Sequence, residues 1–213
     1  MDIGFLREDY NPPLLRRKDL SETPFPTFKT WFEHAIASKL PEPNAMTLTT
    51  TNLEGQPSAR MVLLKEWTEE HFTFFTNYQS GKATQMEQSP KVCLLLAWPV
   101  IYRQIIIQGT VAKAPEEVSH AYFQTRPRKS QIAAWASDQS RPIDSREALE
   151  KRFKEVEDKF AKQENVPLPP HWGGYHVKPQ RIKFWQGGKN RLHDCFEYRL
   201  ESDGSWDLQR LCP

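Results

Sequence analysis

The chain has 213 residues, of which 38% are hydrophobic and 26% charged, enough for one sizeable domain with a true core. A net charge of +2, without a basic tail or stripe, argues against a nucleic-acid binder, so affinity for anions must come from local arginine and lysine clusters and be directed at small ones. Three cysteines (Cys93, Cys195, Cys212) lack zinc spacing and a disulfide pattern, no apolar run approaches the roughly 20 residues of a membrane span, and Met1–Gly4 opens no signal peptide; the expectation is a cytoplasmic protein without metal, membrane or nucleic-acid partner.

Residues 1–22 carry Arg7, Arg16, Arg17 and Lys18 around Pro12–Pro13, a composition too polar to fold alone, and are expected to form a mobile or draped segment ahead of one domain over 23–213. From Thr23–Pro24, Phe28, Trp31, Phe32, Ala35 and Ile36 recur at helical spacing and mark a core-facing stripe. Two alternating runs, 44–51 and 58–65, flank the turn 52–56 and predict a hairpin. In the second run Arg60 and Lys65 bracket Met61, Val62, Leu63 and Leu64, a pattern that suits a flat ring lying against backbone and equally suits a barrel strand with snorkelling ends.

A strand over 72–77 is followed by Ser80 as N-cap of a short helix reaching Met86, and helix starts bind phosphate through free N–H groups and the dipole. The apolar run 92–98 predicts a strand buried on both sides, paired with 102–112. After a helix opening at Pro115, Tyr122 and Arg126 stand four apart, with Ser130 at a new helix start. Hydroxyl, guanidinium and hydroxyl make a cradle for a phosphate monoester dianion, or simply a basic surface loop. A charged helix over 144–163 turns Leu149, Phe153, Val156 and Phe160 inward, and the closing strands begin at Trp172. The paired Gly187–Gly188 then predict a tight reversal feeding a strand that sets Arg191, His193 and Cys195 in one row. Arginine beside histidine is an anion-plus-proton-transfer pair, or a solvated edge.

Phe184-Trp185-Gln186-Gly187, then Arg191-Leu192-His193-Asp194, then Trp206 and Arg210-Leu211-Cys212-Pro213 resemble the C-terminal signature of the pyridoxine (pyridoxamine) 5'-phosphate oxidases, and the resemblance extends over nearly the whole chain. It implies an α+β fold, an FMN-binding split β-barrel of mostly antiparallel strands with peripheral helices, working as a homodimer with shared sites. It further implies that Arg60, Met61, Val62, Leu63, Leu64, Lys65, Phe75, Thr76, Lys82, Gln104 and Trp185 bind FMN, with Gln139 and Ser140 reaching FMN held mainly by the other subunit. Lys65, Tyr122, Arg126 and Ser130 would hold the phosphate of the B6 vitamer, Arg191 and His193 would be catalytic over its pyridine ring, and Arg7 and Tyr10 would cover it.

The implied reaction oxidises C4' of pyridoxine or pyridoxamine 5'-phosphate to the aldehyde, with FMN as hydride acceptor and dioxygen as oxidant giving hydrogen peroxide. Two positions depart from the family pattern: Gly81 replaces an arginine before the flavin-phosphate lysine, and Cys195 replaces the second arginine of Arg-Leu-His-Asp-Arg. A charge-assisted hydrogen bond is worth about 1.5 to 3 kcal/mol, so the loss at Cys195 implies FMN affinity lower by roughly ten- to a hundred-fold, with Gly81 adding to it. The alternative reading is a weak or inactive paralogue that still binds B6 vitamers; a split-barrel flavin reductase or haem-related protein fits less well, because the Arg191-Leu192-His193 signature and the Tyr122-Arg126-Ser130 cradle are both present.

Overall fold

The computed structural model describes residues 1–3, 5, 10 and 12–213. In chain order its elements are α1 (Pro24–Ala37), β1 (Ala45–Thr51), β2 (Pro57–Leu63), β3 (Glu66–Trp67), β4 (Phe72–Asn77), α2 (Gly81–Gln88), β5 (Lys91–Trp98), β6 (Arg103–Lys113), α3 (Glu116–Thr125), α4 (Arg128–Ala136), α5 (Arg146–Phe160), β7 (Trp172–Gln186), β8 (Asp194–Leu200) and β9 (Trp206–Leu211). All strands join one antiparallel sheet in the order β2-β1-β5-β6-β7-β4-β3, with β8 on β7 and β9 on β8.

The fifteen residues of β7 organise this sheet. One edge pairs with β6 throughout, while the other takes β4 over 172–177 and then β8 over 181–186. Because two strands share that edge, the sheet divides there, and its far strand β2 curls round to approach β4. The result is the half-closed barrel that the resemblance implies. A register shift at Gln108/Gly109 helps the turn: a Cβ on Gly109 would stand 2.0 Å from the Lys178 carbonyl, so the strands come together there only around glycine.

Alternation along the strands fills the concave face with Met46, Leu48, Phe72, Phe74, Leu94, Leu96, Ile105, Ile107, Val177, Ile182 and Phe184, and α1 closes it with Phe28, Trp31 and Ala35. Each such side chain contributes roughly 1.5 to 3 kcal/mol when fully buried. On the convex side a second cluster of Phe123, Ile132, Phe160, Val166 and Trp172 gathers α3, α4 and α5 over the start of β7, with Phe75 and Tyr122 packed against it. No helix among the described residues is long and apolar enough to cross a membrane.

Several expectations need correction. The run 92–98 is buried on one face only: Val92, Leu94, Leu96 and Trp98 point inward, whereas Lys91 and Ala97 are exposed because no layer covers the other side of β5 there. Ile36, at the margin of the α1 stripe, is exposed as well. Helix α5 is shorter than the run 144–163, since Ser145 caps it by accepting from Ala148 N at 3.1 Å; its expected inward face holds, with Phe160 buried and Phe153 and Val156 packed against the same cluster, half-buried. The two-residue β3 was not anticipated.

The N-terminal segment 1–22 was expected to be mobile or draped over the body, and the second of these holds for its described later part. From Pro12 onward the segment is packed on the body: Leu15 and Leu20 join the main core, Leu15 N donates to Asp194 Oδ2 at 2.9 Å, and Tyr198 Oη donates to the Ser21 carbonyl at 2.8 Å. Two leucines among charges were too sparse a pattern to signal docking, yet each enters a preformed apolar site. Arg7 lies outside the described residues. Leu15→Ala should therefore cost about 2 kcal/mol in urea unfolding, at the low end for a buried leucine, whereas a free tail would leave the midpoint unchanged.

Candidate active site

Strand β4 leads directly into α2, and the junction gathers positive charge. Arg60, reaching over from β2, donates to Thr50 Oγ1 at 2.5 Å, the Leu48 carbonyl at 3.3 Å and Gln85 Oε1 at 3.4 Å. Lys82, in the first turn of α2, bonds Thr76 Oγ1, Ser80 Oγ and Gln139 Oε1, each at 3.2 Å. Every one of these acceptors is neutral. Burial, and then the nearby Arg60 charge, push the Lys82 ammonium down to about 8, and burial lowers Arg60 too. Two partly desolvated cations beside a helix N-terminus, without a carboxylate, define an anion site.

A cavity of about 530 Å³ runs from this junction along the convex face, lined by Thr76 and Gln139 at one end and by Lys65, Tyr122, Arg126 and Ser130 at the other. The second end is also cationic. Arg126 lies over the Trp172 ring at 4.6 Å with Nη1 buried and unpartnered, and Lys65 Nζ stands 5.8 Å from the Tyr122 ring centre. Burial lowers the Arg126 guanidinium, with only the Tyr122 hydroxyl opposing that shift. The wall between the two ends is a stack of three near-parallel rings, Phe75 on Tyr122 at 4.0 Å and on Trp172 at 5.5 Å. Arg126 reaches the cavity as the extended residue that ends α3, not on its helical face, and Ser130 sits in the first turn of α4.

A second, smaller cavity of about 190 Å³ lies at the opposite end of β7, lined by Tyr10, Tyr102, Gln104 and Trp185 among others. Gln104 and Trp185 are cross-strand partners. His193 flanks them, 4.7 Å from the Trp185 ring and 5.8 Å from Tyr10, and the Arg191 guanidinium lies 5.9 Å from Tyr10. Gly188 N donates to His193 Nδ1 at 3.0 Å, so the neutral ring carries its proton on Nε2. Partial burial, then the Arg191 charge, lower the imidazole below its ordinary value, which keeps it neutral at pH 7.

The row of Arg191, His193 and Cys195 on one strand is not what forms. β8 begins only at Asp194, Arg191 is exposed, and Cys195 is buried with its thiol pushed up by that burial. The reversal is made by Asn190 (φ 55°) and Arg191 (φ 63°), not by the glycines. Gly187 and Gly188 serve close approach instead: a Cβ on Gly187 would meet Tyr10 and Tyr102 at 2.9 Å, and one on Gly188 the Leu192 carbonyl at 2.2 Å.

Residues 32–160 match the family described as pyridoxamine 5'-phosphate oxidase, and residues 172–213 match the pyridoxine 5'-phosphate oxidase C-terminal dimerisation region. Curated proteins named pyridoxine/pyridoxamine 5'-phosphate oxidase from Rippkaea orientalis and Cupriavidus pinatubonensis are 50% and 48% identical, covering 100% and 99% of this chain and the same shares of their own. The chain belongs to the pyridoxamine 5'-phosphate oxidase family. Among solved structures, PhzG from Burkholderia lata, in complex with tetrahydrophenazine-1-carboxylic acid, superposes with a TM-score of 0.88 at 25% identity over 95% of this chain and 99% of its own. A pyridoxamine 5'-phosphate oxidase-related, FMN-binding protein from Nostoc punctiforme (TM-score 0.72, 16% identity, 91% of this chain and 100% of that one) shares the fold.

Relative to the family expectations, the first cavity collects Leu63, Lys65, Phe75, Thr76, Tyr122, Arg126, Ser130 and Gln139, while Tyr10, Gln104 and Trp185 line the second. Of the apolar run in β2 only Leu63 lines the first cavity: Met61 is exposed, Val62 packs on the core, and Leu64 is buried in it. Gln139 and Ser140, expected to serve a cofactor held by another subunit, lie beside this chain's own Lys82 and Gly81. Trp172, Asn77, Thr125 and Ser137 also line the first cavity and were not singled out from sequence. Trp172 lies 46 positions beyond Arg126, and only the fold could bring them together.

The Lys82 shift has a signed consequence for the ligand-free protein. Between about pH 8 and the usual 10.5 the unfolded chain holds a proton that the folded chain has released, so this group makes stability rise with pH across that window. Comparing urea unfolding of wild type and Lys82→Met on either side of it should show the rise in the wild type and its loss in the variant.

Proposed function

We propose that this protein oxidises pyridoxine 5'-phosphate and pyridoxamine 5'-phosphate to pyridoxal 5'-phosphate with FMN and dioxygen, as a homodimer whose sites are shared. The observation that carries this reading is a cavity lined at one end by Lys65 and Arg126 and at the other by Thr76 and Gln139, the residues that Lys82 bonds with Arg60 close by, in a chain of this family. Two phosphate monoesters, one on a cofactor and one on a substrate, account for both ends. FMN fits the first: its phosphate suits Lys82, Arg60 and the free N–H groups of α2, and its ring suits the wall that ends at Leu63 and Phe75. When bound, FMN supplies the hydride acceptor and passes the electrons to dioxygen, giving hydrogen peroxide.

The chain's own groups bind, orient and shield. Lys65, Tyr122, Arg126 and Ser130 take the vitamer phosphate, where the orphaned Arg126 Nη1 gains the acceptor it lacks. His193, neutral with its proton on Nε2 and Nδ1 already engaged by Gly188, is assigned as a hydrogen-bond donor to the vitamer ring rather than a base. Arg191 beside it holds negative charge on the ring oxygen, and Tyr10 covers that end against water. Tyr10 lines, and His193 and Arg191 stand beside, a different cavity from the phosphate cradle of the same chain. A second copy, consistent with the dimerisation region matched at 172–213, would bring its Gln104, Trp185, Arg191 and His193 to the first copy's Lys65 and Arg126.

Removing Arg126 tests the substrate assignment. In Arg126→Met, KM for pyridoxine 5'-phosphate in a peroxide-coupled assay should rise roughly ten- to a hundred-fold, the worth of a charged hydrogen bond, with FMN affinity unchanged; an unchanged KM removes the cradle. The departures from the family pattern make a separate prediction. At Gly81 a Cβ would meet nothing nearer than Ser140 Oγ at 3.9 Å, so a side chain fits, and at Cys195 the nearby cations Arg210 and Lys183 are engaged by Asp194 and Glu197. Cys195→Arg should tighten FMN binding about tenfold in a fluorescence titration, and equal affinities would show that the missing guanidinium is compensated.

A further inference from the structure

Three strands end in one polar row. Arg103 of β6 lies opposite Gln186 of β7, and Gln186 lies opposite Asp194 of β8. The adjacent row is Gln104, Trp185 and Cys195, of which Gln104 and Trp185 line the smaller cavity. Gln186 is 1% exposed and fully engaged: its Oε1 accepts from Arg103 Nε at 2.7 Å, and its Nε2 donates to the carbonyls of Tyr102 at 3.2 Å and Ile101 at 3.4 Å. The Arg103 guanidinium lies over the Trp31 ring at 4.4 Å and bonds His34 Nδ1 at 2.9 Å, while buried Asp194 accepts from Leu15 N and pairs with Arg210. Helix α1, the β5–β6 turn, the N-terminal segment and β9 are thus all tied to this row.

The row bears on the site through Tyr102. Tyr102 has left-handed backbone (φ 54°), a conformation that a tyrosine holds only when its surroundings impose it. Its carbonyl accepts from both Gln186 Nε2 and Gly187 N, the latter at 2.8 Å, and its ring lies 4.6 Å from Tyr10. An apolar side chain of similar volume at position 186 would keep the packing, so burial alone gives no reason for an amide there. The amide specifies where Tyr102, and with it Tyr10 and the start of the Gly187–His193 loop, must sit.

We infer that Gln186, oriented by Arg103 and flanked by Asp194, is a positioning residue for the oxidation, acting through Tyr102 to hold Tyr10, Trp185 and His193 in register. This rests on the proposed function, and its test separates the two. With FMN-loaded enzyme and pyridoxine 5'-phosphate, Gln186→Met should lower kcat at least about tenfold while KM stays within about twofold, because the phosphate cradle lies elsewhere. Arg103→Met should behave alike, and Arg103→Lys, which can still donate to Gln186, should recover most of the rate. Hydrogen exchange at the Gly187 amide should quicken about tenfold or more in Gln186→Met, with Ile107 unchanged. A wild type that makes no vitamer-dependent peroxide would sink the functional reading, and the exchange measurement would still decide the role of Gln186. Wild-type kcat in Gln186→Met, indistinguishable Arg103 variants, or unaltered Gly187 exchange would each overturn the inference.

Discussion

The constraint on which this structure turns is the burial of positive charge without negative charge. A folded chain ordinarily pairs a desolvated arginine or lysine with a carboxylate, because the cost of removing an ion from water is otherwise unmet. Here Arg60, Lys82 and Arg126 are lowered by burial, and their partners are hydroxyls, amides, carbonyls and aromatic faces. Acids were available, since 27 residues are Asp or Glu, and none of those in ion pairs among the described residues lines the cavity. The free chain therefore retains an unfavourable term that a bound dianion would remove, which ties ligand affinity to fold stability.

The sheet explains how such a site can be held. Lys65 from the β2–β3 region and Arg126 from the α3–α4 junction line the cavity, and Lys82 from the first turn of α2 bonds Thr76 and Gln139 on its wall, three places far apart in sequence. β7 brings them together by pairing with β4 over its first half and by carrying α3 over the same stretch. Its second half, paired with β8, carries Trp185 and the loop with Arg191 and His193. One strand thus supports both cavities at opposite ends, which fixes their separation within a single copy.

Local signals carried much of this into the sequence. The 72–77 strand, the hairpin around 52–56 and the helix start after Ser80 were legible because each depends on periodicity or turn signals within a few residues. What was not legible depended on distant partners. Nothing near Leu15 says that a pocket awaits it, nothing near Trp172 says that Arg126 will lie on its face, and Asn190–Arg191 took the left-handed conformation that Gly187–Gly188 advertised. In that loop the glycines were read for the freedom they allow, whereas the fold uses them for the side chain they lack.

That distinction bears on how the His193 end of the sheet is built. His193 takes its tautomer from a backbone N–H that is brought within reach only because Gly188 can lie against Leu192, and Tyr10 reaches His193 only because Gly187 leaves room beside Tyr102. Imidazole protonation state, aromatic cover and backbone shape are therefore set together by a seven-residue connection between β7 and β8. A connection that must meet three conditions at once cannot also be the mobile part of the site.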